Sequence, residues 1–215
     1  MATTMRCGAT RYVRHLGEVR DGVMDDGRSE RFHAARIETH LEDPMTLRLT
    51  SDSFRDGEHL AAQHELSDAF GFGCSGGNIS PPLSWTGAPE ATRSFAITCF
   101  DPDAPTGCGF WHWIVVNLRP DVRSLPAGAG AGVGTGLPNG ALQVRTDFGT
   151  PVYGGPCPPP GDQPHRYRFT VHAVDVDALP VEESTSGAVV GFQLHAHTLE
   201  SATLVGLAER SAVTV

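Results

Sequence analysis

Two aspartates, Asp101 and Asp103, stand in a proline-locked turn, DPDAPTG at 101–107, and His112 opens the apolar run WHWIVVNL at 111–118. Further along, HRY at 165–167 sets His165 beside Arg166, again where a Gly/Pro loop meets a strand-like segment. A histidine can donate a hydrogen bond to an anionic oxygen, and a nearby carboxylate fixes its tautomer and raises its pKa. Asp101 and Asp103 are candidates for that orienting role. Gly154 and Gly155 are candidates for an anion-binding nest of backbone N–H groups. The same residues also fit an architectural reading. Aspartate before proline starts turns, and histidines fill strand ends. Residue types alone leave the two readings level.

Two other motifs fare worse. GCSGG at 73–77 has the G-x-S-x-G spacing of a hydrolase nucleophile elbow, which needs a strand before it and a helix after it. NISPP follows instead, so a turn is expected. HAH at 195–197 offers two metal ligands only if it is a strand, where i and i+2 share a face. A helix is expected there, and it separates the two rings by about 200°.

The elements that must position these residues are short. Gly (25) and Pro (16) are both frequent among the 215 residues, which favours many brief strands over long helices. TLRLT at 46–50 alternates like a strand, SFAITCF at 94–100 and WHWIVVNL read as buried strands, and HRYRFTVHAVD at 165–175 alternates cleanly. In the last, Tyr167, Phe169, Val171 and Ala173 form the apolar face. AGAGAGVGTG at 127–136 lacks the spacing of a dinucleotide-binding loop and reads as a flexible loop. A helix is expected to begin near SGAVVGF, and 201–208 is expected to be a strand. Residues 1–43 carry few aliphatics and no apolar period, so disorder or loose helix is expected.

Composition removes several functions. Net charge is −9, which repels phosphate backbones and anionic surfaces, so no nucleic-acid partner is expected. All 16 basic residues are arginine, which excludes Schiff-base, P-loop and kinase-type lysine chemistry. The five cysteines (Cys7, Cys74, Cys99, Cys108, Cys157) show no C-x-x-C pair. They are expected to be unpaired thiols in a reducing compartment, with Cys108 or Cys157 the alternatives for a reactive thiol. No apolar run is long enough to cross a bilayer, and the N-terminus lacks a secretory h-region, so a cytoplasmic location and no integral membrane association are expected.

DPDAPTG, WHWIVVNL and the YGG loop twelve residues ahead of HRY together resemble the phosphatidylethanolamine-binding protein family, and within it the bacterial YbhB/YbcL or Raf-kinase-inhibitor-like branch. RDGE at 55–58, GGNISPPLSW at 76–85, LQVRTDFG at 142–149 and SGAVVGFQLHAH at 186–197 extend the similarity over about 45–215. The resemblance implies a mainly β, two-sheet antiparallel β-sandwich with one or two short helices and a small anion pocket. By motif position its pocket residues are Asp101, Asp103, His112, Tyr153, Gly155, His165 and Tyr167. Residues 1–44 have no counterpart and read as an N-terminal extension or a mis-assigned start, with the domain at 45–215. The loop GGPCPPPG is richer in proline than in similar proteins, and the chain is expected to lack the C-terminal helix that gates the pocket in eukaryotic relatives.

The function so implied is a non-enzymatic binding protein. It would take phosphate, phosphorylated small molecules or phosphorylated side chains, need no cofactor, pair as a homodimer and modulate a protein kinase. Two alternatives remain: a hydrolase of a small ester or phosphoester working through His112, His165 and the aspartates, and a metal module built on His195, His197 and a pocket histidine.

Overall fold

The structure, a computed structural model, describes residues 46–132 and 136–212. The extension expected at 1–44 lies outside the described residues. The elements run β1 (Arg48–Thr50), β2 (Glu58–His59), β3 (Leu83–Thr86), β4 (Ser94–Asp101), β5 (Phe110–Leu118), β6 (Ser124–Leu125), β7 (Leu142–Gln143), β8 (His165–Val174), α1 (Gly187–His197) and β9 (Thr198–Ala208). Two 3₁₀ turns, Ala62–His64 and Asp68–Phe70, precede β3.

Three strands form a small sheet in the order β1-β3-β6, and six form a large one in the order β2-β9-β8-β4-β5-β7. This is the expected two-sheet architecture, with one correction. β2 pairs parallel to β9, Glu58 opposite Gly206, so the large sheet is not wholly antiparallel. The pairing is a two-residue edge, held by Gly57 N–H to Val205 O (2.8 Å) and Leu60 N–H to Leu207 O (2.8 Å). A chain returning to a sheet edge from the far end of the sequence is free of the hairpin geometry that forces antiparallel order.

β4 and β5 are mostly apolar because both of their faces are covered. Phe95, Ile97, Trp113, Val115 and Phe169 meet Leu83, Trp85 and Leu125 of the small sheet. Ala96, Ile114 and Val116 instead meet Val190 and Leu194 of α1. Trp85, Trp113, Phe95 and Phe169 are all essentially inaccessible, and each side chain of this kind contributes about 1.5–3 kcal/mol of burial. In β8 the expected alternation holds, with Tyr167, Phe169, Val171 and Ala173 buried and Arg166 and Arg168 exposed.

α1 starts at the cap Ser186, whose hydroxyl accepts from Val189 N–H. Gly187 is needed there, because a Cβ would run into the Trp111 indole. His195 and His197 fall on the helix, as expected, and His197 Nδ1 meets Asp175 Oδ1 at 2.9 Å. Residues 201–208 are strand, within β9.

The glycine/alanine loop after β6 departs from expectation over its described part. Ala129 is fully buried, and Gly130 N–H donates to Ser80 Oγ at 2.9 Å. Gly130 packs where a Cβ would strike Tyr153 and the Trp113 indole. Small side chains here serve close approach to the core rather than mobility.

Candidate functional site

Three strand ends and two loops converge at one end of the large sheet. β4 ends on Asp101, β5 brings His112, and β8 begins with His165 and carries Tyr167 two residues on, the same face. They enclose a cavity of about 150 Å³, further walled by Leu66, Phe72, Ala104, Pro105, Thr106, Phe110, Phe148 and Cys157–Pro159. A larger hollow of about 510 Å³ lies on the outer face of the large sheet beside α1. It is an open groove whose enclosed polar groups, Thr98 and His172, bond to each other, whereas Asp101, His112 and His165 converge on the smaller cavity, the ordinary mark of a ligand site.

Asp101 is the anchor. Its Oδ2 accepts from His165 Nδ1 at 2.8 Å and its Oδ1 from Asp103 N–H at 2.8 Å. Asp101 and His165 are both almost completely buried. With Nδ1–H spent on the carboxylate, His165 turns Nε2 outward, 3.5 Å from Asp162 Oδ2 at the cavity's rim. Asp103 does not line the cavity. It grips Arg166 through Nη2 (2.7 Å), Nε (2.9 Å) and backbone N–H (2.9 Å), and so ties the 101–109 loop to β8. The guanidinium hydrogen bonds hold the Asp103 carboxyl below its usual range.

His112 behaves unlike the expectation for a carboxylate-paired histidine. Its Nδ1–H donates to Gly154 O at 2.7 Å, not to an aspartate. Burial lowers its pKa, against smaller upward pushes from the Gly154 carbonyl and the Asp101 charge. His112 is therefore neutral near pH 7, and its Nε2 is a hydrogen-bond acceptor. Its ring stands edge-on to Phe148 (5.3 Å) and Tyr167 (5.0 Å). Burial, then the Asp101 charge, raises the Tyr167 pKa, so its hydroxyl keeps its proton.

Tyr153 and Gly155 shape the site from behind. Tyr153 is buried in the core and its hydroxyl donates to His64 O at 2.9 Å. Gly154 N–H donates to His112 O (2.9 Å) and Gly155 N–H to Asn78 Oδ1 (2.8 Å). The nest suggested for these two glycines has no free N–H to offer. Gly155 has a steric task instead: a Cβ there would overlap the His64 carbonyl oxygen and the Glu65–Leu66 backbone. Gly155→Ala should therefore destabilise the chain by about 1–3 kcal/mol, read as a lowered melting temperature. A melt equal to the parent would show that the YGG loop can shift without loss.

Residues not singled out by sequence also matter. Asn78, at φ 52°, bridges the loops, with Nδ2 donating to Tyr153 O (2.9 Å) and Oδ1 accepting from Gly155. Phe110 and Phe148 stack edge to face at 4.8 Å on one wall. Asp162 is signalled only by its place three residues before His165. The nucleophile elbow is absent: residues 71–82 form turns and extended loop, and Cys74 is bonded to Cys157. That disulfide, with Cα atoms 5.9 Å apart, corrects the expectation of unpaired thiols. Eighty-three residues separate the partners, and only the fold brings the two loops together. Cys99 (buried) and Cys108 (exposed) are unbonded. No group of three or more His, Cys, Asp or Glu side chains with metal-binding geometry occurs among the described residues, and no helix among them is long and apolar enough to cross a membrane.

The family model of the phosphatidylethanolamine-binding proteins matches residues 50–209. YbcL of Escherichia coli (strain K12) is 50% identical over 161 residues, spanning 75% of this chain and 86% of that protein. YbhB of the same organism is also 50% identical over 161 residues, spanning 99% of its length. The crystal structure of E. coli YbcL, described as a new member of the mammalian PEBP family, superposes with a TM-score of 0.73 at 49% identity, covering 76% of this chain and 98% of that one. A homologue from Chlamydia trachomatis gives a TM-score of 0.64 at 32% identity, covering 78% of this chain and 99% of that one. The chain belongs to the phosphatidylethanolamine-binding protein family.

Proposed function

We propose that the chain is a binding protein, not an enzyme, whose cavity takes a small phosphate-like anion: inorganic phosphate, a phosphorylated small molecule or a phosphorylated side chain. The observation that carries this reading is the buried Asp101–His165 pair facing the neutral His112 across a cavity of about 150 Å³. No arginine lines that cavity, so its permanent charge is negative, from Asp101 within it and Asp162 beside His165 Nε2. An anion must then arrive with a proton. A monoanionic phosphate donates its P–OH to an imidazole Nε2, while the Tyr167 hydroxyl donates to a P–O oxygen. Protonating an imidazole instead gives the same overall count. Neither Thr106, whose hydroxyl donates to Gly109 O at 2.6 Å, nor disulfide-bonded Cys157 is disposed as a nucleophile, which supports binding over hydrolysis. Modulation of a protein kinase through this cavity, and pairing into a homodimer, belong to the same proposal.

Calorimetric titration with inorganic phosphate and with phosphoethanolamine at pH 5.5 and 8.5 tests it. One coupled proton makes affinity rise on acidification, by at most about tenfold per pH unit. Affinity that is flat with pH, or that strengthens toward pH 8.5, would sink the reading. Turnover of an aryl phosphate abolished by His165→Ala would favour the hydrolase.

A further inference from the structure

We propose that the Cys74–Cys157 disulfide is a redox latch on the cavity wall: reduction by a dithiol frees the loops it joins and weakens anion binding. The inference rests on the cavity reading above and adds its regulation.

The two loops contribute much of the wall. Phe72 lies two residues before Cys74, and Cys157, Pro158 and Pro159 line the cavity themselves. Phe72 is 58% exposed, and its one aromatic contact is an edge-on approach to Phe148 at 5.7 Å. Apart from the disulfide, the loop tips are tied by Arg210, whose Nη2 donates to Gly73 O (2.8 Å) and Nη1 to Pro158 O (3.4 Å). Behind the tips the anchoring is independent of sulfur: Leu66 N–H to Pro156 O (2.9 Å) and Gly155 N–H to Asn78 (2.8 Å). Cleaving the bond therefore loosens 71–74 and 157–160 and leaves the sheet intact.

Two features favour a reducible bond over an inert staple. Cys157 is partly exposed while Cys74 is buried, so an incoming thiolate reaches Cys157 Sγ. Arg210 Nη1 sits 3.7 Å from that sulfur, and a neighbouring cation stabilises a thiolate. Reagent thiolate attacks Cys157 Sγ, the S–S bond breaks, and Cys74 leaves as a thiolate that takes up a proton. The reagent's second thiol then attacks its own sulfur in the mixed disulfide, expelling the Cys157 thiolate beside Arg210. The dithiol gives up two electrons and two protons and ends as a cyclic disulfide; Cys74 takes one proton, the other goes to solvent, and Cys157 remains a thiolate. In a reducing cytoplasm such a bond is transient and regulatory, whereas in an oxidising compartment it stays closed.

The test compares the oxidised chain, the chain reduced with dithiothreitol, and Cys74→Ser, a position outside the cavity lining. Inorganic phosphate should bind about fivefold or more weakly to the reduced chain and to Cys74→Ser, as pre-organisation of the wall is lost. Dithiothreitol should change nothing further in Cys74→Ser. Amide exchange should quicken at 71–74 and at Cys157 (residues 158–160 are prolines and carry no N–H) on reduction and stay unchanged in β4 and β8. Arg210→Gln should shift the equilibrium with dithiothreitol toward the disulfide by about tenfold, the effect of about one pKa unit on one thiolate. Equal phosphate affinity and equal exchange in oxidised and reduced chains overturn the latch while leaving the cavity reading standing. Release of the thiols only on global unfolding overturns it as well. If phosphate binds neither form, the cavity reading falls, and loop exchange alone decides the latch.

Discussion

His165→Ala is expected to weaken phosphate binding ten- to a hundredfold, or about 1.5–3 kcal/mol, by removing a hydrogen bond to a charged ligand. It should also lower stability, because Asp101 Oδ2 loses its 2.8 Å partner while almost completely buried. Leaving a buried carboxylate oxygen without its hydrogen-bond donor costs about 1–3 kcal/mol or somewhat more. His165→Gln offers a donor to Asp101 from a similar distance and should recover part of the stability but not the anion affinity. Chemical denaturation and calorimetry on the same samples separate the effects. A His165→Ala protein that melts and binds like the parent would reduce the Asp101–His165 pair to strand-end packing.

Acidification is expected to destabilise the unliganded protein before any carboxylate protonates. Burial lowers the His172 pKa to about 4, and lowers that of His112 also. In the unfolded chain both titrate near about 6.5. Below that value the unfolded state takes up protons that the folded state refuses, so stability is complete above it and falls as pH drops toward the folded pKa values. Each histidine contributes up to about 1.4 kcal/mol per pH unit, and His172 alone up to about 3 kcal/mol at full effect. Asp103, held below its usual range by Arg166, loses its contribution only at lower pH still, so the window from 6.5 to 5 reports the histidines. His172→Gln retains a polar group for Thr98 Oγ1, now 3.2 Å from the ring, and should flatten the profile. Denaturant midpoints at pH 7.5, 6 and 5 in phosphate-free buffer check this. Stability that is constant or rises on acidification would mean that these rings are not held neutral by burial. The proposed anion binding should run the opposite way, strengthening as stability falls, so added phosphate should offset part of the acid loss by mass action.

What the sequence determined by itself is local and periodic. Alternation in HRYRFTVHAV settles which side of β8 is buried, since neighbouring side chains in a strand point to opposite faces. Continuous apolar runs in β4 and β5 mark strands covered on both sides. The placing of Asp101, His112 and His165 at loop–strand junctions is legible for the same reason, because each junction is a change of pattern along the chain. The tertiary structure alone decided which atoms of those residues are free. Nothing local says that Asp101 takes His165 rather than His112, that Gly154 and Gly155 spend their N–H groups on His112 and Asn78, or that Tyr153 turns its hydroxyl back to His64. Cys74 and Cys157, and Asn78 and Tyr153, are partners across more than seventy residues. Such pairings follow from sheet order and loop crossing, and hydrogen-bond and sulfur chemistry at a site is set by whichever group the fold places within about 3 Å.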